Sequence, residues 1–254
     1  MSVKFVWVRR SAIIKWALIG GLIIWISISS ASSQLKEENY SFEIRSFGFT
    51  LGYVFAGTIS NGRRYKVASV MRSSDFVSIF SKRRFETKAE GTVSNGMIKS
   101  ERYELLSNIG SNQSTKLLTF SDGRITNYEV NSESEPNPVD INDGIASLDY
   151  LSGFYALLNP KPANELCNMS FYLKDGERVA LMNIEEPSPL QPENIICNST
   201  YTRVKGFDAD EMENEPQIDF TLLYTPSSTS QGYYELKRMS FTADFGQISI
   251  VRIN

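Results

Sequence analysis

Cys167 and Cys197 are the only cysteines in a chain of 254 residues that contains no histidine. The missing imidazole removes histidine-ligated metals, Ser-His-Asp triads and Cys-His nucleophiles. Two cysteines cannot complete a cysteine-only zinc site, and no Cys-x-x-Cys exchange motif occurs. Any chemistry therefore falls to carboxylates, lysines, serines and tyrosines. Asp149 lies in an otherwise apolar segment. Paired with Arg178 it would shape a polar pocket; alone it reads as a helix cap or a solvated residue. Lys82-Arg83-Arg84 follows Phe76-Val-Ser-Ile-Phe80 and suits an envelope phosphate or an acidic lipid headgroup, or else a charged loop beside a strand. The acids from Asp208 to Glu215 read as solvated loop, with weak calcium attraction as the alternative. No motif for a cofactor or a resident metal is present.

The amino terminus gives the clearest address. Residues 1–31 carry Lys4, Arg9, Arg10 and Lys15 and no acid, and an uncharged run from Trp16 to Ile28 leads to Ser29-Ser30-Ala31. A basic flank, a short apolar core and small residues describe a secretory signal peptide; an uncleaved inner-membrane anchor, a transmembrane helix, is the alternative. Residues 32–38 read as a linker and 39–254 as the exported domain. Without the first 31 residues, 22 of the 26 basic residues face 29 acids, a formal charge of −7. That balance disfavours nucleic acid. In an oxidising compartment the cysteine pair is expected to form a disulfide rather than two buried thiols or a reactive pair.

The elements that must hold these residues are mostly strands. Tyr40-Ser-Phe-Glu-Ile-Arg alternates with period two, and Asn61-Gly62, Asn95-Gly96, Asp122-Gly123 and Asp175-Gly176 separate further runs as hairpin turns. Roughly twelve strands result on this pattern. Ile145 to Leu158 has a helical face, with Asp143 as its cap, and is expected to cover or plug one large curved antiparallel sheet, an open barrel or β-spiral.

Tyr40-Ser-Phe-Glu-Ile, Gly48-Phe-Thr-Leu-Gly52, Phe120-Ser-Asp-Gly123, Asp149-Tyr-Leu-Ser152, Cys167, Asp175-Gly176 with Arg178, then Cys197 and Tyr201, follow in an order that resembles the bacterial exported family of domain of unknown function 3108, in its two-cysteine alphaproteobacterial form. Tyr150 stands where that family usually has proline. The resemblance implies a periplasmic barrel-like β fold, a role in envelope integrity or in binding an apolar envelope component, and no catalytic residues.

The functional expectation is a noncatalytic periplasmic or cell-envelope protein whose partners are envelope lipid or envelope protein. The near alternative is a carrier for a hydrophobic envelope component, in a cavity lined by Tyr53, Phe55, Phe76, Phe80, Phe85, Tyr103 and Phe120 with the helix as cover and Lys82, Arg83 and Arg84 at the rim. A histidine-free hydrolase acting on envelope glycan, with two facing carboxylates, is the distant one.

Overall fold

Period-two burial runs through the computed structural model, which describes residues 35–132, 144–187, 193–243 and 246–254. Tyr65, Val67 and Ser69 are buried, while Lys66 and Ala68 between them face solvent. That alternation fixes which way each strand faces and hence its register. The strands on one side are β1 (Lys36–Ser46), β2 (Phe49–Ser60), β3 (Arg64–Ser73), β4 (Arg83–Ser94), β5 (Met97–Ile109), β6 (Asn112–Ser121) and β7 (Arg124–Asn131). The other side comprises β8 (Ser147–Leu148), β9 (Lys161–Pro162), β10 (Met169–Lys174), β11 (Val179–Pro187), β12 (Ile195–Lys205), β13 (Gln217–Pro226), β14 (Tyr233–Ala243) and β15 (Gly246–Arg252). Among the described residues three short α-helices interrupt them: α1 (Asp75–Ser78), α2 (Tyr150–Leu158) and α3 (Ala209–Asn214).

One sheet takes all the strands, in the order β7-β6-β5-β4-β3-β2-β1-β15-β14-β13-β12-β11-β10-β8, with β9 paired to β14. Every ladder is antiparallel except β8 on β10. The chain therefore meanders from β1 to β7, then returns through β15, which pairs with β1 through Phe42 opposite Arg252. The sheet curls almost into a barrel and leaves a seam between β7 and β8. Contacts across the seam are local. Ser147 N donates to the Gly123 carbonyl at 2.7 Å, Lys116 meets Glu177 and Asp175, and the Tyr128 ring lies under Gly176.

The interior is filled by α2. Asp149 is its N-cap, and seven of its nine residues are buried. Its Leu151 and Tyr155 join Tyr65, Val67, Tyr103, Leu118 and Phe120 in one core cluster; Leu157 and Leu158 join Phe42, Leu166, Ile184 and Leu222 in the other. Phe154 packs against both clusters. Gly153 makes the close approach to β10 feasible, because a Cβ there would lie 2.5 Å from Leu173 Cδ2. The Cys167–Cys197 disulfide, expected from the cysteine count, joins the segment after α2 to β12, across a sequence separation of 30.

Three expectations need correction. The first strand starts at Lys36, inside the stretch read as a linker, since Lys36, Glu37 and Glu38 pair with Ser60, Ile59 and Thr58, with Lys36 and Glu37 exposed at the sheet surface. The helix starts at Tyr150, because Ser147 and Leu148 are drawn into a parallel ladder with Tyr172 and Leu173; Asp143 lies outside the described residues. The transmembrane helix given as the alternative to a signal peptide is not found: among the described residues no helix is long and apolar enough to cross a membrane. Residues 1–31, on which the signal-peptide and anchor readings fall, lie outside the described residues.

Candidate functional site

Asp149 is fully buried, and its carboxylate faces inward along α2. Its Oδ1 accepts from Ser152 N at 2.8 Å and its Oδ2 from Ser152 Oγ at 2.5 Å. Tyr65 Oη donates to Ser152 Oγ at 2.6 Å, and Asp149 N donates to Ser100 Oγ at 3.0 Å. Burial pushes the Asp149 carboxyl up from its ordinary range, against the hydrogen bonds from Ser100 and Ser152 that favour the anion. Tyr65 and Tyr155 stack at 4.5 Å between ring centroids and roof the cluster. Every polar contact here points at the first turn of α2, so the arrangement is a buried cap.

Arg178 is not part of it. That side chain is exposed, with its guanidinium 5.2 Å from the centroid of the Phe207 ring. Asp149 and Arg178 leave β8–α2 and the β10–β11 turn in different directions, so the polar pocket expected from them does not form. Near Arg178, Tyr150 Oη and Tyr201 Oη share a hydrogen bond at 2.8 Å. Burial raises both phenols above their ordinary range.

The seven aromatics expected to line one cavity divide between two faces of the sheet. Tyr103 and Phe120 are buried in the core and Phe85 is half-buried. Tyr53 and Phe55 stack on the outer face under Arg72, whose guanidinium lies 5.5 and 5.8 Å from their centroids. Phe76 and Phe80 project from the α1 connection, 57% and 80% exposed. Period two sends alternate side chains of one strand to opposite faces, so Tyr53 and Phe55 on β2 lie outside while Ala56 and Thr58 of the same strand are buried.

Two hollows remain. One of about 510 Å³ opens beside the seam, bounded by Met97, Leu148, Ala156, Phe171 and Lys161. Lys161 Nζ lies 2.9 Å from Met169 Sδ, a weak acceptor, and burial lowers its ammonium to about 8, opposed by Glu165. The other, about 390 Å³, is a groove on the outside of β2–β5, crossed by the Lys66–Glu90 and Arg102–Glu104 pairs. Its charges already neutralise one another, which makes the seam cleft the better candidate for a ligand.

Lys82, Arg83 and Arg84 are all exposed at the start of β4. Arg84 pairs with Glu86 at 2.7 Å, and Arg83 Nε donates to Ser81 Oγ at 3.2 Å. The exposed aromatic group beside them was not legible as such from its sequence, because Phe76 and Phe80 fit a core pattern equally well. Of the acidic run, Glu211 and Glu215 pair with Arg203, and Asp208 with Glu211 forms the capping box of α3. Among the described residues no cluster of acids, cysteines or histidines could hold a metal.

No family model matches the chain, and no match is found among curated proteins. Two solved chains match it. One is a beta-barrel-like protein of domain of unknown function DUF1849 from Brucella abortus, with 9% identity over 85% of this chain and 95% of that one and a TM-score of 0.44.

Proposed function

We propose that this barrel protein is exported to the bacterial periplasm and acts there as a noncatalytic cell-envelope factor, working through its outer surfaces. The observation that carries this reading is the use of the barrel interior. The chain's own helix occupies it, and its buried acid, Asp149, is committed to the helix cap. The basic, apolar and small-residue order of residues 1–31 and the Cys167–Cys197 bond support the address. Fractionation with amino-terminal sequencing is expected to recover a chain starting near Ser32 or Gln34 in the periplasm, and a deletion strain is expected to lose barrier function under detergent. Full-length cytosolic protein would overturn the address; unchanged barrier and morphology under several stresses would overturn the role.

A carrier is the second reading, favoured by the seam cleft. Its volume falls in the ordinary range of ligand pockets, its walls are largely apolar, and Lys161 supplies one cation for an anionic amphiphile. Native mass spectrometry of gently purified protein is expected to retain such a ligand, and Lys161→Met to release it.

A further inference from the structure

Three two-residue hairpin turns in this sheet share one backbone shape, and one of them carries the wrong residue for it. Asn95-Gly96 and Asp122-Gly123 have φ of 51° and 76°, and 48° and 76°. Phe47-Gly48 has 48° and 80°. Positive φ at both central positions suits Asn or Asp followed by Gly, whereas a bulky side chain at the first position is strained. Phe47 nevertheless sits there, 75% exposed, with its ring against Gly246. Folding alone gives no reason to keep an exposed phenylalanine in a strained turn.

Around Phe47 the same end of the sheet exposes more apolar surface. Phe49, Phe76, Ile79 and Phe80 are 60%, 57%, 78% and 80% exposed, and α1 buries nothing. Phe49 stacks on Phe76 with centroids 5.9 Å apart, and Phe76 meets Phe80 edge-on at 6.1 Å. The platform is held in place by hydrogen bonds. Ser74 N donates to the Leu51 carbonyl at 2.9 Å, Ser74 Oγ accepts from Val77 N, and Ser73 Oγ accepts from Arg83 N at 3.0 Å. Lys82 and Arg83 follow directly, and among the described residues neither has a carboxylate partner; Asp75 is the one acid between Ser73 and Phe85.

We infer that this tip docks on an anionic phospholipid surface, with Phe47, Phe76, Ile79 and Phe80 entering the interfacial layer and Lys82 and Arg83 meeting headgroup phosphates. Preformed aromatic side chains beside unpaired cations suit that layer, where apolar burial and headgroup charge act together. A second copy of the chain fits less well, because a two-fold contact would set Lys82 and Arg83 against their own symmetry mates. The inference rests on the envelope address only for its setting.

Hydroxyl-radical footprinting of the whole chain tests it, with phosphatidylcholine vesicles that contain or lack phosphatidylglycerol. Phe47, Phe76 and Phe80 are expected to lose oxidation severalfold on the anionic vesicles alone, reversibly with salt, while Met97 at the opposite end stays unchanged. Lys82→Ser with Arg83→Ser is expected to weaken that protection about 30-fold in lipid concentration. Phe47→Asn is expected to raise thermal stability and yet weaken protection, a pairing that a structural role for Phe47 would not produce. Unchanged tip oxidation, or equal protection by neutral vesicles, overturns the inference. So does protection that grows with protein concentration in the absence of lipid, which would mark self-association. A periplasmic protein with an unprotected tip would fail this inference alone, whereas a cytosolic one with a protected tip would fail the envelope address alone.

Discussion

Tyr65 on β3 donates its phenol proton to Ser152 on α2 across 2.6 Å, and Ser152 passes a hydrogen bond on to Asp149. Barrel wall, helix and cap are thus one buried network, whose worth exceeds that of an exposed cap.

The network separates charge from geometry at Asp149. Asp149→Ala removes the cap and strands Ser152, so a loss of about 3 kcal/mol in chemical denaturation is expected. Asp149→Asn keeps an acceptor without a buried charge and is expected to be at least as stable as the parent at neutral pH. The folded carboxyl sits above its ordinary 3.8. Just above that value the native chain holds a proton that the unfolded chain has lost. Its contribution is therefore full below 3.8 and lost as pH rises through the folded value. The Asn variant is expected to lack that slope.

Removing the disulfide tests the other fastening of the plug. Cys167 and Cys197 are 4% and 0% exposed and lie in the same core cluster as Leu157 and Leu158. Changing both to alanine is expected to cost about 3–4 kcal/mol, on the chain-entropy view of a loop this size. Thermal melts in the presence and absence of reductant read it: the parent is expected to drop under reductant, and the variant to be indifferent.

Alkaline titration should show two opposed limbs. Lys161 falls from 10.5 to about 8 on folding, so above 8 the unfolded chain holds the extra proton and stability rises with pH. Tyr65, Tyr103, Tyr150 and Tyr224 are pushed above their ordinary 10.0, chiefly by burial, so above 10 the unfolded chain loses protons first and stability falls. Stability read by equilibrium unfolding is expected to peak between these values. Lys161→Met is expected to abolish the rising limb and to add roughly 2 kcal/mol at neutral pH.

Gly91 on β4 sits where neighbouring wall strands β3 and β5 crowd closely. A Cβ there would fall 2.0 Å from the Lys99 carbonyl oxygen and 2.7 Å from Tyr65 Oη. Backbone cannot yield as a side chain can, so Gly91→Ala is expected to lose about 3 kcal/mol or more. Gly153→Ala, which meets side-chain atoms of Leu173 and Phe171 rather than backbone, is expected to cost less. Parallel denaturation of the two variants reads the order.

The turns that the sequence announced were those with turn chemistry. Asn61-Gly62, Asn95-Gly96, Asp122-Gly123 and Asp175-Gly176 all join successive strands. Phe47-Gly48 does the same without that chemistry, and so carries no local signal as a turn. The helix was legible in place but not in its start, because the pairing of Ser147 with Tyr172 is a long-range event that no local pattern encodes. The same holds for Tyr65 and Ser152, which lie 87 positions apart. Asp149 and Arg178 illustrate the converse. Both residue types suit a pocket, but strand direction sends one into the core and the other to Phe207.

Hydrogen exchange of the whole protein under native conditions addresses the claim that α2 is a fixed plug inside the barrel. Amides from Ser152 to Leu158 are expected to exchange as slowly as those of β3–β5, and only through global unfolding, so that their protection follows denaturant stability. Exchange of α2 through a separate, low-energy opening that leaves the strands protected would contradict the account, and would make the helix a gate over a ligand chamber.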